Sequence, residues 1–357
     1  MLRRVLVAAL VLLAVVAATS RGASSTTISP CRQVSAPVWS PDGQQIAFYG
    51  RRWPPPSTNP HRNPNSILQA FCVANPDGTN VQPLRYTVCS ENCPDLPYQL
   101  EWLAPNELLA LRDGDILRFA PGSKPKKIAT INAESFALDP RGDRLAAGAN
   151  FSGCATCAGP ITVLSLATGR RIGTVGGKRL DNLDPSFSPD GKKVVFDRYP
   201  SNDSGKILGI WTANVDGSHL RQLTKAGDNP LWSPTAANVA YVAFAGKTVA
   251  LRLVPAGGGK SRALVPGHVQ NVYGWSPDGR YIAFETGTGT FGKLAVVDVA
   301  TGKVRKLLDL HLSPTAVWKP DSSELLAYSL AKSQKCWSLT RVPIDGSTPT
   351  VVSSCNS

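Results

Sequence analysis

Four histidines and eight cysteines are the side chains of this sequence best suited to hold a metal or to cycle electrons. His268 and His311 each stand nine residues before a proline (Pro277 and Pro320) of a recurring segment, so a repeating fold is expected to bring them near each other in successive loops. Two imidazoles there would offer two metal ligands, but no full ligand set follows, and the plain alternative is a pair of polar loop side chains. Cys154-Ala-Thr-Cys157 has the spacing of a redox pair, and with Cys89 and Cys93 it would supply four thiolates to zinc. The redox chemistry lacks its strand–helix–strand context, and the zinc site needs two distant loops to converge. Gly257-Gly258-Gly259-Lys260-Ser261 ends like a phosphate loop, yet Val254 occupies the first glycine position and no helical pattern follows. No Gly-x-Ser-x-Gly nucleophile elbow occurs. These residues assign no catalytic group, no metal and no cofactor.

The ends and the charge say where such a chain works. Arg3 and Arg4 precede an uncharged apolar run from Val5 to Ala18, followed by Thr19 and Ser20, the order of a secretory signal peptide. The run is shorter than the roughly 20 residues of a membrane span, and no later segment is long enough, so no transmembrane span is expected after cleavage. Residues 1–20 are expected to be a signal peptide, 21–30 a short linker and 31–357 one folded unit, secreted, periplasmic or held at the cell surface as a monomer. The formal charge of +13 becomes +11 once Arg3 and Arg4 are removed. That excess favours association with anionic polymers, or simply keeps a solvated surface soluble. No basic helix or base-stacking motif points to nucleic acid.

The elements that must position any site come from an internal repeat. Residues 36–48 read APVWSPDGQQIAF, and near copies begin at Asp184, Asn229 and Val272, with looser ones at Thr315, Gln99 and Ser135. The anchors Trp39, Trp102, Leu138, Phe187, Trp232, Trp275 and Trp318 are spaced 63, 36, 49, 45, 43 and 43 residues apart. Apolar residues seven and nine positions beyond the anchor give period-two alternation across a tight turn, which is a β-hairpin, with one extra residue expected in the last copy. A second hairpin follows in most units, as in Ile210–Thr224 and Leu294–Leu308. Four antiparallel strands per unit, without helical periodicity, predict an all-β fold: a seven-bladed β-propeller of four-stranded antiparallel blades. Six blades are the alternative, because the unit at Trp102 lacks Ser-Pro-Asp-Gly.

The phrase Pro-x-Trp-Ser-Pro-Asp-Gly-x-x-Ile-Ala-Phe, with its Asp-Gly hairpin and closing Leu-Thr, resembles the TolB-type propeller repeat over nearly all of residues 36–352. Similar units occur in prolyl-oligopeptidase-like enzymes and in oligogalacturonate lyase. The resemblance implies a propeller fold with structural repeat residues. It does not imply TolB's role, since TolB is a six-bladed propeller behind an α/β domain for which this chain has no room. The resemblance to oligogalacturonate lyases implies a second possibility, a metal-dependent lyase or hydrolase for acidic polysaccharide centred on His268 and His311.

Cys336 and Cys355 stand nine residues before Asp345 and nine after Gly346, so they face each other across the last turn and are expected to pair. Cys89–Cys93 and Cys154–Cys157 then become local clips, leaving Cys31 for Cys72; a rival closure joins Cys31 to Cys355. Strand direction puts the tight Asp-Gly turns on one face. The expected insertions, residues 50–66, 85–97, 148–160, 197–206 and 285–293, all fall on the other. That rim carries Arg51, Arg52, Trp53, Arg62, Arg85, Tyr86, Arg198 and Tyr199, and arginine with aromatic is the composition of an interface hot spot. The leading expectation is therefore a binding or scaffold propeller for a protein or an anionic envelope polymer.

Overall fold

The computed structural model describes residues 31, 33–52, 67–89, 99–104, 107–112, 114–120, 124–131, 133, 135–148, 159–177, 180–200, 206–246, 248–288, 291–311, 315–330 and 337–353. Blade I contains β1 Gln33–Trp39, β2 Ile46–Arg52, β3 Ile67–Ala74 and β4 Gln82–Cys89. Blade II contains β5 Gln99–Ala104, β6 Glu107–Arg112, β7 Asp115–Phe119 and β8 Lys126–Thr130. Blade III follows with β9 Phe136–Leu138, β10 Arg144–Ala147, β11 Ile161–Ser165 and β12 Arg171–Val175. Blade IV has β13 Leu180–Phe187, β14 Lys193–Pro200, β15 Ile210–Asn214 and β16 Arg221–Gln222. Blade V has β17 Asp228–Trp232, β18 Asn238–Ala245, β19 Thr248–Pro255 and β20 Arg262–Val265. Blade VI has β21 Val269–Trp275, β22 Tyr281–Thr288, β23 Phe291–Asp298 and β24 Val304–His311. Blade VII has β25 Thr315–Trp318, β26 Glu324–Leu330, β27 Trp337–Pro343 and β28 Thr350–Ser353. Each blade is a four-stranded antiparallel sheet of consecutive strands, so the Trp102 unit is a true blade and the ring has seven.

The Ser-Pro-Asp-Gly motif is used up in making turns. Ser40 Oγ donates to Asp42 Oδ1 at 2.6 Å and accepts from Gln45 N at 2.9 Å, while Asp42 Oδ1 also accepts from Gln44 N at 3.0 Å. Ser188 with Asp190 and Ser276 with Asp278 repeat the arrangement. These bonds to the charged form hold the Asp42 and Asp190 carboxyls below the usual range. In blade III, Asp139 replaces the serine and itself accepts from Asp143 N and Arg144 N. The last copy keeps the common register, Trp318 opposite Leu325, and has no extra residue. The tighter unit is blade II, where Trp102 faces Leu108.

Alternation in the second strand of each blade feeds both neighbouring interfaces. Ile46 and Phe48 enter the cluster shared with blade VII, while Ala47 and Tyr49 enter the one shared with blade II. Seven such clusters, one per interface, make up the core. Anchor tryptophans add a directional bond. The indoles of Trp102, Trp275 and Trp318 donate to Val38 O, Leu231 O and Gly274 O, each carbonyl lying one residue before the previous blade's anchor.

The outer edge has its own repeating contact. A Cβ added at Gly217 would fall 2.3 Å from Thr174 O of the preceding blade, and one at Gly78 2.3 Å from Val352 O. Only glycine fits such a turn, and Gly78 makes the contact across the seam where blade I meets blade VII. In return, Arg221 donates to Gly257 O at 2.6 Å and to Ala256 O at 3.1 Å in the next blade's turn. Arg262 reaches Val299 O at 2.8 Å, and Arg305 reaches Ile344 O. Removing one of these exposed staples, as in Arg221→Ala, is expected to lower Tm by about 1–2 °C, measured by thermal unfolding.

No strand is exchanged at the seam among the described residues. Trp39 packs with Val317, Leu326 and Leu339, with Lys319 Nζ 5.7 Å from its ring centroid. Cys31 is disulfide-bonded to Cys72, with Cα atoms 6.0 Å apart, which excludes the rival Cys31–Cys355 closure. Cys93, Cys154, Cys157, Cys336 and Cys355 lie outside the described residues, as does the side chain of Cys89.

Candidate functional site

First strands of neighbouring blades touch each other around the ring, so they lie nearest its axis, and fourth strands lie outermost. The chain meets the axis at a bulge. Ala36, Asp184 and Asn229 each precede the repeat proline, adopt φ of 47°, 46° and 50°, and coincide with a register shift against the second strand. Such a bulge leaves one residue out of the ladder and re-aims its side chain. In blades IV and V the re-aimed residues are Asp184 and Asn229.

Around them lies a set of carboxylates. Asp197, in the half of β14 nearer the loop-bearing face, is 0 % exposed. Its Oδ2 accepts from Asn229 N at 2.9 Å, and its buried Oδ1 has no hydrogen-bond partner among the described residues. Burial, followed by repulsion from Asp184 and Asp228, holds the Asp197 carboxyl well above the usual range. Burial and Asp184 likewise push Asp228 up to about 6. Tyr199 Oη lies 3.5 Å from Asp228 Oδ2, and burial raises this phenol above its ordinary value. Blade VI adds Glu285, buried, accepting from Asn271 Nδ2 at 2.7 Å and Tyr273 Oη at 3.2 Å. Glu101 of blade II receives a bond from Gln99 Nε2 at 3.1 Å, and burial raises its carboxyl.

The innermost strands as a group carry four acidic residues (Glu101, Asp181, Asp184 and Asp228) and neither lysine nor arginine. In a chain of 38 basic and 25 acidic residues, that is a sorted distribution. The axis is acidic although the protein is basic.

The expected rim residues fare unevenly. Arg198 is buried, its guanidinium 4.3 Å from the Trp211 ring centroid, and its Nε donates to Asn182 Oδ1 at 3.0 Å. Asn182 in turn donates to Gly159 O of blade III at 2.8 Å. Arg198 is therefore an internal strut rather than an exposed hot-spot arginine, because its strand continues to Pro200 and turns it into the wall. Arg51 and Arg52 end β2 on the loop-bearing face, and Arg85 and Tyr86 lie in the outermost strand of blade I. Their side chains, and all of Trp53, His61 and Arg62, lie outside the described residues.

His268 and His311 are not brought together. His268 precedes the innermost strand of blade VI, and its carbonyl accepts from Gly287 N, while His311 pairs with Phe291 as the last residue of the outermost strand. Three strand spacings, roughly 14 Å, separate these positions across the sheet. The sequence reading placed His311 in a loop, but β24 runs on through it. For the same reason the expected insertion at 285–293 is mostly an extended hairpin, with Thr288 opposite Phe291. Residues 256–261 form the turn between β19 and β20, so the glycine-rich phosphate-loop likeness has no helix to serve it. Among the described residues no group of three or more histidine, cysteine or acidic side chains is arranged to hold a metal ion.

The sequence does not announce the cluster of Asp184, Asp197 and Asp228, because its members come from two blades and from different repeat positions. A signal existed: Asp184 and Asn229 occupy the pre-proline position three residues before their anchors.

Comparison with known proteins bears on the scaffold. No curated protein sequence matches the chain. An oligogalacturonate lyase from Vibrio parahaemolyticus superposes with a TM-score of 0.62 at 12% identity, covering 88% of this chain and 91% of that one. An oligogalacturonate lyase in complex with manganese gives 0.63 at 14% identity, with 89% and 91% covered. TolB from Acinetobacter baumannii gives 0.51 at 16% identity, with 86% and 79% covered. At these identities the likeness shows the fold. The sequence profile of the TolB beta propeller domain matches residues 140–357, so the chain belongs to the TolB β-propeller domain family.

Proposed function

We propose that this is an exported binding propeller that holds a protein or an anionic envelope polymer through its loop-bearing face. The observation that carries this reading is the division of labour between the two faces. On the turn-bearing face the Ser and Asp side chains of the repeat are consumed in closing hairpins. The opposite face carries the longer connections and, toward the axis, the buried carboxyl of Asp197, whose Oδ1 has no hydrogen-bond partner among the described residues. Export is supported by the signal-like residues 1–20 and by the Cys31–Cys72 disulfide. Among the described residues no helix is long and apolar enough to cross a membrane.

The alternative, a metal-dependent enzyme on acidic polysaccharide, has the fold likeness behind it. Against it stands the separation of His268 from His311. Charge reversal of Arg51, Arg52 and Arg62 together is expected to reduce retention on isolated cell envelopes at least several-fold. Unchanged retention would remove this face as the binding surface.

A further inference from the structure

The outermost strands mirror the innermost ones. They carry eight basic residues and a single acidic one, Asp309, which is paired with Lys293. The placement repeats. A cation occupies the first or second position of the outermost strand in five successive blades: Lys126, Arg171, Arg221, Arg262 and Arg305, with Lys306 beside the last. All six are exposed. Blades I and VII start the same strand with Gln82 and Thr350, so the series has two ends that flank the seam.

Three of these arginines are held in place. Arg221, Arg262 and Arg305 use one or two N–H groups on carbonyls of the next blade's turn, which leaves other donors of each five-donor fork turned to solvent. A guanidinium fixed in this way loses little further freedom when it meets a carboxylate or phosphate oxygen. The nearby acids Asp216, Asp298 and Asp345 each turn an oxygen onto an amide of their own turn, Ser218 N at 2.9 Å, Thr301 N at 2.8 Å and Ser347 N at 2.8 Å, and of these Asp345 also interacts with Arg305.

We propose that the outer rim of blades II–VI is a binding track for a linear polyanion bearing phosphate or carboxylate groups. One exposed cation contributes little in salt, but a row of them releases counterions from a polyanion at each contact. The cations stand in single file, one or two per blade, at the turn-bearing end of the outermost strands, an arc that a flexible polymer can follow from blade to blade. This track lies away from the loop-bearing face and does not depend on the function proposed for that face.

The test uses the full mature chain and end-labelled polygalacturonate or long-chain polyphosphate, followed by fluorescence anisotropy at 50 and 300 mM salt. Lys126→Glu, Arg171→Glu and Lys306→Glu are combined, since none of these side chains makes one of the inter-blade carbonyl bonds described above. The triple variant is expected to bind at least tenfold more weakly and to flatten the slope of log K against log salt by about three. Lys206→Glu with Lys225→Glu, on the loop-bearing face, is expected to leave binding unchanged. Circular dichroism and Tm of the triple variant establish that it is folded. The proposal is overturned if the wild type binds neither polymer at 50 mM salt, or if the folded triple variant binds as the wild type does. It is equally overturned if vesicles with 30% anionic lipid bind more tightly than both polymers. A preference for polyphosphate or for polygalacturonate assigns the ligand group as phosphate or carboxylate.

Discussion

Joint replacement of Cys31 and Cys72 by alanine is expected to lower the melting temperature by about 6 °C. The two residues are 41 apart in sequence, and closing a loop of that length removes denatured-state entropy equivalent to about 4 kcal/mol. A propeller of this size unfolds with an entropy of roughly 0.7 kcal/mol/K, from which the temperature shift follows. Location adds a second expectation. The bond lies in the cluster where blade I packs against blade VII, at the one interface whose blades are not consecutive in the chain. Without it, the start of the chain is no longer tied to β3, and blade I, which packs on blade VII with no covalent link to it, becomes the first part to open. Amide hydrogen exchange is expected to accelerate in β1–β4 by a larger factor than in blades IV and V. A Tm change below 1 °C, or a uniform rise in exchange, would show that the bond adds nothing to the packing that holds blade I at this seam.

The same seam shows what a repeat sequence reveals. Trp39, Ile46 and Phe48 announce their blade because one motif serves every copy, and period-two alternation needs no knowledge of the neighbour. Even Trp102, without the Ser-Pro-Asp-Gly turn, anchors a blade, since the indole and the alternation are sufficient. Contacts between repeats were harder to foresee. The staple from Arg221 to the Gly257 turn links residues 36 apart and appears in the sequence only as an arginine opening a short strand. Strand ends were harder still. Polar residues at His311 and Arg198 break the apolar alternation and so read as loop, yet backbone pairing carries both strands through them. The acidic axis was hidden for a different reason. Net charge sums over the chain, whereas the fold sorts it by strand position, acids to the first strands and bases to the fourth.

Sorting like charges together has an energetic consequence, and Asp197→Asn should expose it. Asp197 has a folded-state proton affinity well above that of the unfolded chain, so between the two values the folded state binds the extra proton. The unfolded state then binds fewer protons, and stability falls as pH rises, by about 1.4 kcal/mol per unit from about pH 3.9 up to the raised folded value. Above that value the loss is complete and the curve is flat. Asp228, pushed up to about 6, adds a loss of the same sign between about pH 3.9 and 6. Asparagine at position 197 keeps an oxygen to accept from Asn229 N and replaces the unpartnered Oδ1 by an amide donor. With no proton to bind, it removes the first slope while leaving that of Asp228. Thermal unfolding is expected to show little difference between variant and wild type near pH 4, and a variant more stable than the wild type at pH 8. An equal gain at both pH values would place the benefit in packing. A loss at pH 8 would mean that the Asp197 carboxylate is ionised and held by a cation in the folded protein.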